Sequence, residues 1–536
     1  METKARISVR VQNLIAFTLI LFFAVVNTIS VTRDFALTTD EDKHYLYGEK
    51  VLEGDPSRFN PSTMPVTAFN ALPKAIGTLV GGERLGWYPF ARMVTIFFSC
   101  LTAYLVFHWA RRLYGFVPAL FSLILYVLDP NIIAHSQLVT TDIYTTGTFV
   151  FAFFTLWKFA RERNFRNGLL CLFALGLSQL AKYTAIILYP LFLGTLLIYD
   201  LSSRNETGKE KERIWAFTFR YLKYGIAMLV VSILIINLGF LFDHTFMAFG
   251  EYQFRSSFLQ KIQASAPGLE SMPVPLPSPY LNGLDYMFNF EQSGNSPGNI
   301  YLLGHVRTGT GFPGYYFVAS LLKVPISAQI IMLFAFLAYF SRRRVISDFL
   351  KNEMFLLIPV LFFAVYFNFF FKTQVGIRYY LPVFPFLYIF SGSLFIGWEK
   401  FSLMKKRVVG LLVVYLIGSV ISYHPYYLSY FNEIVLDRKY AYKYLADSNL
   451  DWGQDKYELD HFLYENPDAV YKPQKVRTGL LVVRINDLVG VTTDPGLYTW
   501  LRDNFEPSGM IGHSYLIYDI TPEEINPLCG RTVSCD

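Results

Sequence analysis

What most constrains this chain is a series of apolar runs, each near the length of a membrane-crossing helix and set apart by short charged patches. A bilayer core takes about 20 apolar residues per helix, with ~17 as a lower bound. Runs of that order recur near residues 14–31, 88–110, 116–131, 142–157, 168–181, 184–200, 224–242, 316–340, 353–371, 379–398 and 408–424. Composition agrees, since 53% of the 536 residues are hydrophobic and only 16% charged, against about 25% charged in soluble domains. A soluble enzyme, a nucleic-acid-binding domain and a disordered scaffold are thereby excluded. The pattern predicts a polytopic α-helical membrane protein with about 11 transmembrane helices.

Charge orients the bundle. Lys4, Arg6 and Arg10 precede the first run, which is too long for the apolar core of a signal peptide and lacks a small-x-small cleavage site after it. It reads as a retained first helix with its N-terminus inside. Lys and Arg favour cytoplasmic loops, and every loop expected inside is basic: Arg111-Arg112, then Lys158, Arg161, Arg163 and Arg166, then Arg204 to Lys223, Arg342-Arg343-Arg344, and Lys400, Lys405, Lys406 and Arg407. Residues 1–436 are thus expected to form a membrane domain with long outer loops at 34–87 and 243–312. The second loop is rich in Pro around Met272 to Pro279 and is expected to be ordered by packing, without helix. Residues 437–536 lose the long runs and alternate over Gly479–Val483 and Ser514–Tyr518, with a helical stretch near 452–465. They read as a small extracytoplasmic α/β domain.

Cys100 and Cys171 lie in apolar runs and read as packing residues. Cys529 and Cys535 form either a short disulfide or two free thiols, and both readings stay open. No His, Cys and Asp spacing fits a zinc site.

Chemistry-bearing residues gather at the outer ends of the runs. Thr38-Thr39-Asp40-Glu41-Asp42-Lys43-His44 follows the first helix, either as a solvated acidic turn or as a carboxylate held at the membrane surface as general base. Thr140-Thr141-Asp142 precedes another run, where Asp142 suits a helix start, a role compatible with catalysis. Lys182 separates two runs, Lys323 interrupts one, and Arg378 opens another. Cations at such depth are costly and mark functional sites by default, with snorkelling to the interface as the bland alternative. Three at one level suit an anionic headgroup such as a phosphate, Arg378 by bidentate contact and the lysines as point charges.

These residues resemble the GT-C superfamily of polyprenyl-phosphate-sugar-dependent glycosyltransferases, in particular the protein O-mannosyltransferase-like (family 39-like) group and the related aminoarabinose transferases. Asp40-Glu41 with His44, Leu138 to Asp142, Ala181-Lys182-Tyr183-Thr184, Tyr301 to Gly304, Tyr315-Tyr316-Phe317, Lys323-Val324-Pro325, Arg378 to Pro382, Asp447 to Asp455 and Gly512 to Tyr515 carry the likeness. The resemblance implies an inverting transfer. Asp40, Glu41 and Asp142 would be catalytic, with Asp40 the base on an acceptor hydroxyl. Lys182, Lys323 and Arg378 would hold the donor phosphate, and His44, Tyr183, Tyr315, Tyr316 and Tyr379 would line the substrate cavity. The implied partners are a polyprenyl-phosphate-linked sugar, a protein, lipid or glycan acceptor and membrane lipid, without nucleic acid. No cofactor is implied; a divalent metal, which oligosaccharyltransferases of this fold use, is not expected. The implied place is a bacterial-type plasma membrane, with the C-terminal domain extracytoplasmic.

Two stretches depart from the family pattern, Ser62-Thr63-Met64-Pro65-Val66 and Gly311-Phe312-Pro313-Gly314. Both fall in outer loops and bear on the sugar and the acceptor more than on the reaction class. The Asp451-Trp452-Gly453-Gln454 string reads first as helix-start packing, with reach into the cavity as the alternative. A transporter or flippase for a lipid-linked or anionic substrate is the competing class. It would be favoured by inverted repeats and matched broken helices, and the sequence has no such symmetry. An inactive scaffold is the third reading.

Overall fold

The computed structural model describes residues 8–525 except 33–35, 56, 59, 83–87, 208–213, 266–267, 269, 294–297 and 342–345. The Arg342-Arg343-Arg344 patch and Cys529 and Cys535 therefore lie outside the described residues. The chain is mostly helical: α1 Val9–Val31, α2 Glu41–Leu52, α3 Ala68–Val80, α4 Tyr88–Tyr114, α5 Phe116–Val127, α6 Pro130–Ser136, α7 Asp142–Arg161, α8 Phe165–Gln179, α9 Leu188–Thr207 and α10 Ile214–Gly239. Next come α11 Ser257–Ser265 and α12 Ser278–Ser293, then the strands β1 Ile300–Leu302 and β2 His305–Arg307. The second half continues with α13 Tyr315–Lys323, α14 Ile326–Ser341, α15 Ile346–Lys351, α16 Met354–Val365, α17 Val383–Ser391, α18 Leu403–Ile421 and α19 Lys456–Glu465.

Every apolar run is helical, but not as eleven uniform crossings. Among the described residues four helices are long and apolar enough to span a membrane, or six if two bent pairs each count as one span. α5 and α6 meet at 62°, and α13 and α14 at 116°. Each break has a local cause. Asp129 caps α6, accepting from Asn131 N at 2.8 Å ahead of Pro130, a residue suited to the first helical position. Val324 is extended because it precedes Pro325. The two breaks lean on one another, since Asn131 Nδ2 donates to Lys323 O at 2.8 Å. α7 has the length of a span yet carries Asp142 at one end and Lys158 and Arg161 at the other.

The helices alternate in direction, so their ends sort into two groups. At one end the start of α1 meets the end of α4 through Arg111 Nη1 and Asn13 Oδ1, 2.6 Å apart. There too Arg163 pairs with Asp200 at 2.6 Å, joining α7 to α9, and Arg161 donates to Asn352 at 2.6 Å. The opposite end gathers the starts of α4 and α7, the end of α8, and the long connections.

Those connections are more regular than their composition suggests. Residues 243–312, expected to lack helix, contain α11 and α12. The proline run stays extended, but Pro279 falls in the first turn of α12, where a missing N–H costs nothing. α12 is fixed at both ends of its length. Gly283 lies so close to the Tyr183 ring that a Cβ would overlap it, and Glu291 accepts from Lys372 N at 2.8 Å and Thr373 Oγ1 at 2.6 Å.

Near the C-terminus four strands, β3 Val470–Tyr471, β4 Gly479–Arg484, β5 Gly509–Ile511 and β6 Tyr515–Ile520, form a sheet in the order β3-β4-β6-β5. β4 runs antiparallel to β6 with Gly479 opposite Ile520 and Arg484 opposite Tyr515, while β3 pairs with β4 in parallel. The segment before it, residues 447–455, is buried between this sheet and the helical body. Asp451 is gripped by Arg484 at 2.7 Å from β4. The carbonyl of Trp452 accepts from Thr39 N at 3.0 Å, so the C-terminal third braces the residue next to Asp40.

Candidate active site

A cavity of about 390 Å³ opens at the end of the bundle away from the basic cluster. Its wall carries the carboxylates Asp40, Asp142 and Asp447 and the cations Lys43, Lys182 and Arg378, among aromatic rings. Asp40 stands at the start of α2, where a negative charge also suits the helix dipole. Its Oδ2 accepts from Arg378 Nη1 at 2.8 Å and its Oδ1 pairs with Lys43 Nζ at 2.8 Å. Burial pushes the Asp40 carboxyl up, but the Arg378 guanidinium and the Lys43 ammonium outweigh it and hold the group well below the usual carboxylate range. His44, four residues after Asp40, lines the same wall, and burial lowers its imidazole to about 4, which keeps it neutral.

Arg378 reaches the cavity because the chain unwinds beside it. α16 ends in a π-turn over Tyr366–Phe370, and Gly376 then adopts φ +84°. A side chain at Gly376 would also collide with Ser448, so this turn admits only glycine. The guanidinium lies 4.1 Å above the Trp452 ring, and Tyr379 beside it carries the Lys182 ammonium 3.9 Å over its face. Lys182 also pairs with Asp142 at 2.8 Å, and His135 stands behind Asp142 at 3.9 Å.

The residues singled out from sequence thus divide into two sets. Asp40, His44, Asp142, Lys182, Tyr183, Arg378 and Tyr379 share the cavity wall. Glu41 is turned away and fully buried. Its two oxygens accept from Arg92 Nε at 2.9 Å and Nη2 at 2.7 Å, and from the backbone of Val139 at 3.0 Å and Thr38 at 2.9 Å. It locks α2 to α4 and to the turn before Asp142. Lys323 is likewise buried away from the cavity, its ammonium donating to the carbonyls of Leu428, at 2.8 Å, and Asn449. Tyr315 accepts from Asn449 Nδ2 at 2.8 Å, and Tyr316 stacks on Tyr380 at 5.4 Å between ring centres, so both support the Arg378 turn from behind.

Sequence reasoning gave no role to Lys43, Asp447, Arg92, Tyr286 or Phe290, and it favoured packing for Trp452. Arg92 did carry a signal: it is a lone cation within an apolar run, which calls for a buried carboxylate partner. Tyr286 and Phe290 reach the cavity from α12, whose helical period was hidden by the neighbouring prolines. Arg58 knits the loops above, donating to Tyr183 Oη at 2.6 Å and to the carbonyl of Pro279.

Among the described residues no group of three or more His, Cys, Asp or Glu is placed to hold a metal ion. Asp40 and Asp142 are both engaged by Lys or Arg.

Residues 75–236 match the family model described as dolichyl-phosphate-mannose-protein mannosyltransferase. Over that stretch the expected likeness to the protein O-mannosyltransferase-like group holds. The matched span includes Asp142 and Lys182 and excludes Asp40 and Arg378. No curated protein sequence matches the chain. Among solved structures, ArnT from Cupriavidus metallidurans bound to undecaprenyl phosphate is 16% identical with a TM-score of 0.49, over 77% of this chain and 65% of that one. The oligosaccharyltransferase AglB from Archaeoglobus fulgidus, in complex with an inhibitory peptide and a dolichol-phosphate, is 13% identical with a TM-score of 0.46, over 84% of this chain and 59% of that one. The chain therefore spans less than two thirds of either protein.

Proposed function

We propose that the chain is an inverting membrane glycosyltransferase that moves one sugar from a polyprenyl-phosphate carrier to an acceptor hydroxyl. The observation that carries this reading is the Asp40–Arg378 pair at 2.8 Å on the wall of a cavity that also holds Lys43, Lys182 and Asp142. A base for a hydroxyl and cations for a phosphate stand within one site, as the reaction needs.

In the proposed step the acceptor oxygen attacks the anomeric carbon and its proton passes to Asp40. A new C–O bond forms as the bond from that carbon to the phosphate oxygen breaks, and polyprenyl phosphate leaves with the bonding pair. The added negative charge develops on the leaving oxygen, where Arg378 and Lys182 would stabilise it in place of a general acid. Asp40 is a weak base while two cations hold it. A donor phosphate that draws Arg378 toward itself relieves that hold and raises the basicity of Asp40, so donor binding prepares the base. Trp452 and Tyr379, under Arg378 and Lys182, keep the cations pointed inward. This scheme assigns charge neutralisation to side chains, with no step assigned to a metal.

The extracytoplasmic side is proposed on charge: Arg111, Arg161 and Arg163 gather at the end opposite the cavity, and such residues favour the cytoplasm. The test uses purified protein with a panel of radiolabelled polyprenyl-phosphate sugars and native membrane extract as acceptor source, with Asp40→Asn in parallel. Label leaving the lipid only with the wild-type chain supports the reading and names the sugar. A folded protein that neither transfers nor binds any phospholipid sugar would favour transport or a scaffold role.

A further inference from the structure

A second groove, of about 370 Å³, adjoins the first and takes no part in the chemistry above. The two share Tyr286, and at the nearby turn Pro61 lines the groove while its neighbours Asn60 and Ser62 line the cavity. The groove and the cavity are thus adjacent, with Tyr286 at their common edge.

The lining says what kind of molecule that is. The exposed residues Glu251, Arg255 and Asn282 line it, the Asn282 amide also donating to Ser278 Oγ at 3.1 Å. Tyr252 is 3% exposed, and its hydroxyl is buried with no hydrogen-bond partner among the described residues. A buried hydroxyl left unmatched costs free energy unless a ligand or water completes it. Asp285 is already used, accepting from Arg255 N at 2.7 Å and Ser256 Oγ at 2.6 Å, and so fixes the groove's rim. Two phenol rings, a carboxylate, a guanidinium and an amide match a ligand whose every hydroxyl both donates and accepts. A lipid acceptor would need a mainly apolar lining, whereas Glu251, Gln253, Arg255, Asn282 and Asp285 face this groove beside Pro61 and Met247. One cation beside Glu251 and Asp285 does not suit an anion.

We propose that this groove is the acceptor subsite and that it takes a carbohydrate, whose terminal hydroxyl is presented to Asp40. The inference rests on the transferase reading for its purpose, though not for its binding chemistry. The test is saturation-transfer NMR on the purified full chain carrying Asp40→Asn, with mannobiose, galactobiose and N,N′-diacetylchitobiose as probes and a short Ser/Thr-rich peptide as competitor. At least one disaccharide is expected to bind, with affinity lowered about fivefold or more by Asn282→Ala and by Glu251→Gln. Tyr252→Phe, which preserves the fold, is expected to weaken it less. No disaccharide signal, a signal indifferent to these variants, or displacement of the sugar by the peptide would overturn the proposal. Donor consumption by the wild-type chain is read separately: sugar binding without it removes the transferase reading alone, and donor turnover without sugar binding removes the groove.

Discussion

Asp40 sits between two cations and one residue from a buried carboxylate of a different kind. This contrast separates the residues that act from those that place them. Asp40→Asn is expected to lower transfer by about 10²- to 10⁴-fold, the range for a lost general base, with a smaller loss of thermal midpoint in detergent than Glu41→Gln gives; label release from the donor lipid checks it. Glu41→Gln should behave in the reverse order. It leaves Arg92 buried without its counter-charge, which costs about 3–5 kcal/mol, so the thermal midpoint falls first and activity follows. Arg378→Lys is expected to raise the donor KM nearly as much as Arg378→Ala, because an ammonium cannot reproduce the planar contact with both Trp452 and a carboxylate. The sequence made Asp40, Lys182 and Arg378 legible because charge at membrane depth is rare. It could not separate Asp40 from Glu41 or Lys182 from Lys323. Neighbours in sequence diverge by about 100° around the axis once a helix begins, and a buried ammonium satisfied by carbonyls looks in sequence like one awaiting a ligand.

Among the elements, α12 was the least legible and is the most exposed to test. Proline-rich flanks concealed it, yet it carries Tyr286 and Phe290 into the cavity and is pressed onto Tyr183 at Gly283. Gly283→Ala is expected to displace the Tyr183 turn and cut transfer by about 10²-fold, the scale for a misplaced site, while far-ultraviolet circular dichroism stays unchanged. The helical runs were legible by length, and their bends were not, since Asp129-Pro130 and Val324-Pro325 look alike whether a span kinks or ends. In the C-terminal sheet, burial lifts Asp455 from its ordinary 3.8 to about 7, against hydrogen bonds from Ser514 and the His513 amide, with Glu458 and Asp451 adding to the rise. A carboxyl that holds its proton more tightly when folded stabilises the fold below about 4 and loses that contribution as pH climbs to about 7. Asp455→Asn should flatten the fall in melting temperature across that window; an undiminished slope would assign it to another group.

At the scale of the whole molecule the proposed orientation puts the two ends of the bundle in different compartments. With the native cysteines replaced, Tyr464→Cys is expected to react with a membrane-impermeant maleimide in intact cells. Arg166→Cys, in the exposed first turn of α8, should react only after permeabilisation; the opposite pattern would invert the topology. The bond from Thr39 to the carbonyl of Trp452 bears on the order in which the molecule is made. Asp40 is synthesised well ahead of the indole under Arg378 and the brace beside Asp40, which arrive more than four hundred residues later. A nascent chain therefore holds Asp40 and Lys182 through much of its synthesis before Arg378 and then Trp452 join them. On the proposed reading the site closes late, so a chain stalled before Trp452 is expected to hold Asp40, Lys182 and Arg378 without the brace and to show no transfer.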